Sequence, residues 1–478
     1  MGLKAKAFSG FLWSSAGTLG NGLVNLLVTI VLARMLTPED FALIALLTVF
    51  VTVSNVLVDS GFSQAIIRDD NPSEQDLSSV FMFNMALAIC LYVILFAVSP
   101  YIAAFYDSLE LTTLSRIVFL VIIFNALSLI QNACLKRNLD FAKVEKSSVL
   151  GALCAGVLSI IMVFFGGGIW SLVANMVLMP LFRSIFLWTF SKWRPKLIFS
   201  FLSIRKYLDF SIFLTIQSLV DIVVTNLNTL FIGKVYSKND LGYYSQAGKL
   251  DSYIVTPLGA VLDKVVYPIF VKLKNNQYKL KEAYRQMMEL LLFVTLPVML
   301  FVAVYAENTI IFFFGEQWRE SSIYLQLLSI MSLFQIMHKV FINIVIVKGD
   351  TKTMLVFAII KQALRVLALM LTIHISVKAM VLGFVISGII GSILYIGLGM
   401  YYLRYNLKEF FLGNYKTFMA TFLAMISVQF LGNIFSSIYA GFILQCFLML
   451  IIYLFLNILQ KNESACLILS LLKSVVKR

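Results

Sequence analysis

Charged residues are scarce in this sequence of 478 residues. Asp, Glu, Lys and Arg make up only 13% of it, whereas 60% of the residues are hydrophobic. A soluble globular protein has about a quarter of its residues charged. Apolar stretches of about 20 residues, the length that spans a bilayer as a helix, recur along nearly the whole chain. The composition therefore excludes a soluble protein and predicts an all-α, polytopic integral membrane protein.

Residues typical of metal and redox sites are also few. The five cysteines form no C-x-x-C pair, and the two histidines, His338 and His374, are isolated in apolar segments. The sequence has no P-loop, no G-x-S-x-G or H-E-x-x-H motif, and no aspartate-rich loop of the kind that membrane glycosyltransferases use. These absences predict a protein that is not an enzyme and has no metal site and no cofactor.

Fourteen apolar windows are long enough to span the hydrocarbon core. We keep the first as a helix and not as a signal peptide, because Asn21 and Asn25 interrupt it and no small-x-small cleavage site follows. The eighth window carries Lys249 and Asp251, which predicts that it faces protein or a water-filled cavity. The predicted helices are 11–33, 41–62, 80–104, 114–134, 147–166, 169–190, 210–232, 241–270, 288–313, 322–346, 354–374, 379–402, 416–434 and 437–458.

Basic residues are distributed unequally between alternate predicted loops. Of the 38 Lys and Arg residues, 26 lie in the N-terminal segment, the even-numbered connections and the C-terminal tail, and 6 lie in the odd-numbered connections. Because basic residues are retained on the cytoplasmic side, both termini are predicted to be cytoplasmic. This orientation and contact with anionic membrane lipids explain the net charge of +14, so nucleic acid is not predicted as a partner.

The sequence contains an internal repeat with an offset of 200 residues. Residues 32–43 read LARMLTPEDFAL and residues 232–243 read IGKVYSKNDLGY. Thr37 can cap a following helix, and Ser237 with Asp240 can do the same. Since six helices separate the copies, we predict a parallel repeat about an axis normal to the membrane.

The repeat divides the predicted helices into two similar lobes of six and an appendage of two. The predicted domains are an N-lobe at 1–206, a C-lobe at 207–404, and helices 13 and 14 with a cytoplasmic tail at 405–478.

Several segments follow a pattern known from one group of transporters. The opening pattern is FLWSSAGTLGNGLVNLLVTIVLARMLTPEDFALIALLTVF followed by DSGFSQAIIR, and later pieces are LKRNLDF at 135–141, GGGIWSLV at 166–173, LGYYSQAGKL at 241–250, YPIFVKL at 267–273 and FFGEQW at 313–318. Nearly the whole chain thereby resembles the polysaccharide-export branch of the MOP (multidrug, oligosaccharidyl-lipid, polysaccharide) flippases, which includes Wzx-like flippases and colanic-acid or teichuronic-acid exporters. Ala42 stands where that family usually has Gly, whereas Gly242 occupies the equivalent place in the second copy; we interpret this as a change in packing.

The resemblance implies both a location and a function. It implies a multi-pass protein of the bacterial inner, or cytoplasmic, membrane that moves a polyprenyl-pyrophosphate-linked oligosaccharide across the bilayer. The substrate would be a repeat unit of capsule, exopolysaccharide or lipopolysaccharide O-antigen, and polysaccharide polymerase machinery is an expected partner. The two lobes would alternate access to a central cavity walled largely by the first, second, seventh and eighth helices.

Two basic residues lie within the eleventh predicted helix. Lys361 and Arg365 are one turn apart and therefore share a face. An ion at the centre of a membrane helix costs about 2.5–3.5 kcal/mol on insertion scales. A pyrophosphate would offset that cost, because it accepts bidentate hydrogen bonds from Arg and attracts the point charge of Lys. The alternative is that both residues pair with acids and brace the helices.

Five further intramembrane charges are candidates for the same cavity. Lys249 on the eighth helix is a predicted headgroup contact. Asp251 on that helix and Asp221 on the seventh are either counter-ions or the site at which a H⁺ or Na⁺ gradient couples to transport. Arg183 and Lys339 are also assigned to the cationic cavity, although both could instead extend to the cytoplasmic interface.

Two other functions compete with oligosaccharide export. A MATE-like drug or metabolite antiporter would need acids in its cavity for cationic substrates, and here the intramembrane bases outnumber the acids. A saccharide polymerase or ligase would need a large outer loop, which the predicted connections do not provide. No residue pattern identifies the saccharide.

Overall fold

All regular structure in the described part of the chain is helical. The computed structural model describes residues 3–69, 71–431 and 438–466, and their side chains except at 3–12, 209–210, 213–214, 260–265, 267–268, 351, 431 and 438. The chain divides into two compact units, Met1–Ser245 and Gln246–Arg478, called the first and second unit below. The predicted all-α class is confirmed, whereas the lobe boundaries derived from the repeat stay a prediction.

The described residues of the first unit form nine helices, and a tenth begins there. They are α1 (Leu3–Met35), α2 (Pro38–Asp59), α3 (Phe62–Arg68), α4 (Glu74–Phe105), α5 (Glu110–Val118), α6 (Leu120–Arg137), α7 (Phe141–Phe164), α8 (Trp170–Phe190), α9 (Phe201–Val235) and α10 (Lys238–Leu273).

The second unit contains the rest of α10 and seven more α-helices in its described residues. They are α11 (Gln277–Val304), α12 (Ala306–Phe314), α13 (Ser321–Lys348), α14 (Thr351–Thr372), α15 (Val377–Leu403), α16 (Leu407–Leu431) and α17 (Ile438–Leu459).

Twelve helices in the described residues are long and apolar enough to cross a membrane. This confirms a polytopic membrane protein, whereas the predicted number of fourteen spans stays a prediction, because α10 and α16 are not among the twelve. The predicted ninth helix, 288–313, covers the end of α11 and nearly all of α12, since Tyr305 (φ −102°, ψ 33°) interrupts the helix.

The two turns of the internal repeat are capped as predicted. The Thr37 hydroxyl accepts a hydrogen bond from the backbone N–H of Asp40 (3.4 Å), and the Ser237 hydroxyl accepts one from that of Asp240 (3.1 Å). These caps satisfy backbone donors that a helix start leaves unpaired.

The same two turns contact each other inside the first unit. The Asn239 side-chain amide donates a hydrogen bond to Glu39 Oε1 at 3.2 Å. These two residues are separated in sequence by the repeat offset of 200 residues. A Cβ added to Gly242 would lie only 2.1 Å from the carbonyl oxygen of Pro38. Gly242 is therefore the residue that allows α10 to approach the start of α2 this closely.

The start of α9 is held by a polar cluster near the loop that precedes α4. Lys206 Nζ donates to Asp69 Oδ2 (2.6 Å) and Asp76 Oδ2 (3.3 Å), and the Tyr207 hydroxyl also donates to Asp69 Oδ2 (2.8 Å). The hydrogen bond from Lys206 lowers the pKa of Asp69, and the same bond raises the pKa of Lys206. We call these four residues the Lys206 cluster.

Small residues bring neighbouring helices close together. At Gly151 on α7, an added Cβ would lie 2.9 Å from the backbone nitrogen of Arg183 on α8, and at Gly391 on α15 it would lie 2.8 Å from Cγ of Lys361 on α14. Close approach at small residues is the usual way in which membrane helices pack, since lipid supplies little hydrophobic driving force. Two glycines thereby fix the surroundings of two predicted site residues.

Candidate substrate-binding site

Arg365 and Lys361 lie on the face of α14 that packs against α15. Arg365 is 6% exposed, its guanidinium lies over the Phe384 ring with 5.0 Å between Cζ and the ring centroid, and Nη1 is 3.4 Å from Gln362 Oε1. Lys361 is half-buried beside Gly391. The two cations therefore share a face, as their spacing predicts.

Lys339 follows a buried histidine, His338, on α13. Its Nζ lies beside Gly259 on α10, 2.7 Å from the position that a Cβ at that glycine would take. His338 Nδ1 is 3.2 Å from Ser392 Oγ, and the ring stacks on Tyr395 with 5.4 Å between centroids. His338 is thus a packing residue. We refer to the three cations Lys339, Lys361 and Arg365 together as the basic face of the second unit.

Asp251 is buried between α10 and α13. Its carboxylate is 8% exposed, and Oδ2 accepts a hydrogen bond from the Ser332 hydroxyl at 2.6 Å. Oδ1 is buried without a hydrogen-bond partner among the described residues, and none of the ion pairs between described side chains involves Asp251. A hydroxyl, and not one of the predicted cations, is therefore the contact that the structure gives this carboxylate.

Two other predicted site residues lie on the helices adjoining the unit boundary. Lys249 is half-buried on α10, and Asp221 is exposed on α9. Neither is placed by the structure in the basic face. Among the described residues, no three His, Cys, Asp or Glu side chains lie close enough together to hold a metal ion.

Arg183 lies on α8 in the first unit. The charge of Glu145 on α7 acts on its guanidinium, and Glu145 Oε1 accepts a hydrogen bond from Ser14 Oγ at 3.2 Å. Arg183 Nε is buried without a hydrogen-bond partner in the described part of the chain.

Arg183 lines a polar cavity of about 370 Å³ that the sequence reasoning missed. Asn125 on α6 donates to Asn55 Oδ1 on α2 at 3.2 Å, which joins the two walls. We call this space the amide cavity; its polar lining is Thr52, Asn55, Asp59, Asn125, Ser128, Asn132 and Arg183.

The signal for the amide cavity was present in the sequence. Its polar residues recur at intervals of three or four on both α2 and α6, which places each set on one helix face. A polar stripe on each of two otherwise apolar spans predicts that the two helix faces contact each other or bind a polar ligand. These amides carry no charge, so nothing in the sequence marks them as more than hydrogen-bonding groups between helices.

A known protein family matches a large part of this chain. The family model described as "Polysaccharide biosynthesis protein" matches residues 31–323. The chain belongs to this family. The match includes the whole amide cavity, whereas the basic face of this polysaccharide biosynthesis protein lies beyond residue 323.

Individual relatives agree with this assignment. The teichuronic acid biosynthesis protein TuaB of Bacillus subtilis is 24% identical over 71% of each chain. The lipopolysaccharide biosynthesis protein WzxC of Escherichia coli is 25% identical over 82% of this chain and 81% of its own. The predicted resemblance to polysaccharide exporters of the MOP superfamily is thereby confirmed.

A solved structure shares the fold of this polysaccharide biosynthesis protein. The lipid II flippase MurJ, in an inward closed conformation, superposes with a TM-score of 0.75 at 15% sequence identity, covering 95% of this chain and 99% of its own. At this identity the likeness concerns the fold.

Proposed function

We propose that this polysaccharide biosynthesis protein transports a polyprenyl-pyrophosphate-linked oligosaccharide across the bacterial cytoplasmic membrane. Its membership of the family carries the proposal. The names of the relatives point to teichuronic acid and lipopolysaccharide biosynthesis, and the protein of similar fold is named as a lipid II flippase.

The basic face supplies a chemical reason for binding such a substrate. Three cations lie on the membrane-spanning helices α13 and α14, where an anionic ligand would offset part of the cost of their desolvation. Arg365 would bind phosphate oxygens through its planar guanidinium, while Lys361 and Lys339 would contribute point charges. Lys249 and Arg183 would contact the substrate at other stages of transport.

The proposed mechanism is alternating access. The basic face captures the pyrophosphate while the polyprenyl chain stays in lipid, and movement of the lobes then exposes the saccharide to the opposite side. Asp251 and Asp221 are the candidates for coupling this movement to a H⁺ or Na⁺ gradient. The distribution of basic residues supports a cytoplasmic location for both termini, and polysaccharide polymerase machinery is the proposed recipient of the product.

The lipid-linked saccharide pool of a deletion strain tests this proposal. We expect the pool to accumulate in the deletion strain and to clear when the native chain is restored. The Arg365→Ala variant should fail to clear it, because loss of charge-assisted hydrogen bonds weakens phosphate binding about tenfold to a hundredfold. Arg365→Lys should restore part of the activity, since it keeps the charge but not the bidentate geometry.

Arg319→Ala serves as the matched control. Arg319 is half exposed and pairs with Glu307 and Glu316 outside the spans, so this variant should clear the pool normally. An unchanged pool in the deletion strain, together with altered tolerance to cationic drugs, would reject saccharide transport and favour a MATE-like antiporter.

A further inference from the structure

Apart from Arg183, the residues of the amide cavity have no part in the mechanism proposed above, yet they are polar residues of three membrane-spanning helices. Its volume of about 370 Å³ falls within the range of about 300–1,000 Å³ that is usual for small-molecule sites. A polar cavity in this position needs an explanation, since polar groups within a span are unfavourable unless they are paired.

The cavity holds unused hydrogen-bonding capacity of both kinds. Asn132 Oδ1 is an acceptor and Arg183 Nε is a donor, and both atoms are buried without a hydrogen-bond partner in the described residues. Asn55 and Asn125 make one hydrogen bond to each other, although a carboxamide offers two donor hydrogens and an acceptor oxygen. A ligand rich in hydroxyl groups would satisfy donors and acceptors together.

The charges around the cavity favour a neutral ligand. Arg183 is the cation in its lining, Asp59 is an acid in the same lining, and the charge of Glu145 acts on Arg183 from α7. The two carboxylates oppose binding of a phosphate, and the guanidinium opposes binding of a cation. A sugar ring carries many hydroxyl groups and no charge, so it fits both the charge and the hydrogen-bonding pattern.

We infer that the amide cavity binds the saccharide part of the substrate during transport and that Asn132 is one of the residues that recognise it. This inference rests on the proposed function, because it assigns one part of the same substrate to the first unit. Phosphate recognition belongs to the basic face, and sugar recognition belongs to the amide cavity.

Asn132→Leu tests the inference with little risk to the fold. Asn132 makes no hydrogen bond within the described protein, so replacing its amide by an apolar group of similar size breaks no internal contact. The full-length variant, purified in lipid nanodiscs, is titrated with a bacterial polyprenyl pyrophosphate and with the same lipid carrying one hexose. Thermal unfolding of each sample checks that the fold is kept.

We expect Asn132→Leu to weaken binding of the hexose-bearing lipid about tenfold, as expected when a buried polar contact is lost, and to leave binding of the sugar-free lipid unchanged. Arg365→Gln should weaken binding of both lipids. Asn175→Leu is the matched control, because Asn175 bonds to Ser159 in the same unit and does not line the cavity; it should bind both lipids normally.

Three results would overturn the inference, and they differ from one another. If Asn132→Leu binds both lipids like the native chain, the cavity holds only water. If it weakens both lipids equally, Asn132 has a general structural role. If the native chain binds neither lipid, the proposed function fails as well. Asn125→Ala provides a second variant for the same comparison should Asn132→Leu not insert.

Discussion

The basic face and the amide cavity are two polar regions in an apolar protein, and they are built from different chemistry. In the basic face, Arg365 lies over an aromatic ring, Lys361 lies beside Gly391, and Lys339 lies beside Gly259. The amide cavity is lined by neutral carboxamides and hydroxyls, with one cation, Arg183, and one acid, Asp59. The first suits an anion and the second suits a neutral polar ligand. A substrate made of a pyrophosphate and a sugar requires both.

Substitution of two glycines, one beside each region, is expected to give the largest difference between the two regions. Gly151→Ala would place a Cβ 2.9 Å from backbone of α8 beside Arg183, whereas Gly391→Ala would place one 2.8 Å from the flexible side chain of Lys361. Backbone cannot give way as a methylene chain can, so we expect Gly151→Ala to lower the free energy of unfolding by about 2 kcal/mol and Gly391→Ala by less than about 1 kcal/mol. Thermal unfolding in nanodiscs measures both.

Gly22→Ala is the control for this pair, because a Cβ at Gly22 would meet no atom within 4 Å. Its unfolding should match that of the native chain or occur at a slightly higher temperature, since alanine favours a helix over glycine. Equal destabilisation by Gly151→Ala and Gly391→Ala would contradict the expectation that the backbone at Arg183 moves less readily than the side chain of Lys361.

Asp251→Asn tests whether the second unit couples transport to an ion gradient in addition to binding an anion. The amide keeps the size of the side chain and can still accept the hydrogen bond from Ser332, but it cannot gain or lose a proton. In vesicles with an imposed H⁺ or Na⁺ gradient we expect transport about tenfold slower, equivalent to about 1.4 kcal/mol, with unchanged binding of the lipid substrate.

Asp107→Asn is the matched control, because Asp107 is an exposed acid outside the spans that pairs with Lys234 near the end of α9. It should keep the native response to the gradient. If Asp251→Asn also keeps that response, Asp251 is a packing group and the coupling residue lies elsewhere.

The Lys206 cluster gives the smallest expected effect, and it concerns stability alone. The pKa of Asp69 is lowered below its usual 3.8, so its contribution is complete above that pH and is lost as the pH falls through the lowered value. The pKa of Lys206 is raised above 10.5, so its contribution is complete below that pH and is lost as the pH rises through the raised value.

Lys206→Met should therefore destabilise the protein at neutral pH by about 1 kcal/mol or less, since the Lys206 side chain is half exposed and screened by solvent. The difference from the native chain should vanish in acid well below pH 3.8. Measurement of unfolding against pH checks this, with lipid binding expected to stay native throughout. Loss of binding would show that the cluster acts on the transport cycle and not only on the start of α9.

Most of the fold could be predicted from the sequence, because a lipid-facing helix must be apolar over a length that the bilayer fixes. The turns at Thr37 and Ser237 were predictable too, since helix starts need side-chain acceptors. The break at Tyr305 was not, because the few polar residues after it, such as Glu307 and Asn308, do not outweigh the apolar residues of the window, and hydropathy does not register backbone dihedral angles.

The site was only partly predictable, for a physical reason. Charged groups such as Arg365 and Lys361 stand out in an apolar span, and their four-residue spacing fixes a common face. Asn132 and Asn125 do not stand out in the same way, since a carboxamide carries no charge and commonly occurs in spans as a hydrogen-bonding group between helices. The burial of Arg183 Nε depends on the approach of α7 at Gly151, which is a property of packing between segments distant in sequence.

The contact between Glu39 and Asn239 joins the two turns of the predicted repeat. A substitution in one copy of a repeat ordinarily has no effect on the other copy. Here each copy forms part of the other's surroundings, because the backbone at Pro38 leaves room for nothing larger than hydrogen at residue 242. The residues that one turn can accept therefore depend on the other turn. A chimaera that takes only one of the two turns from a distant homologue should pack poorly at this contact.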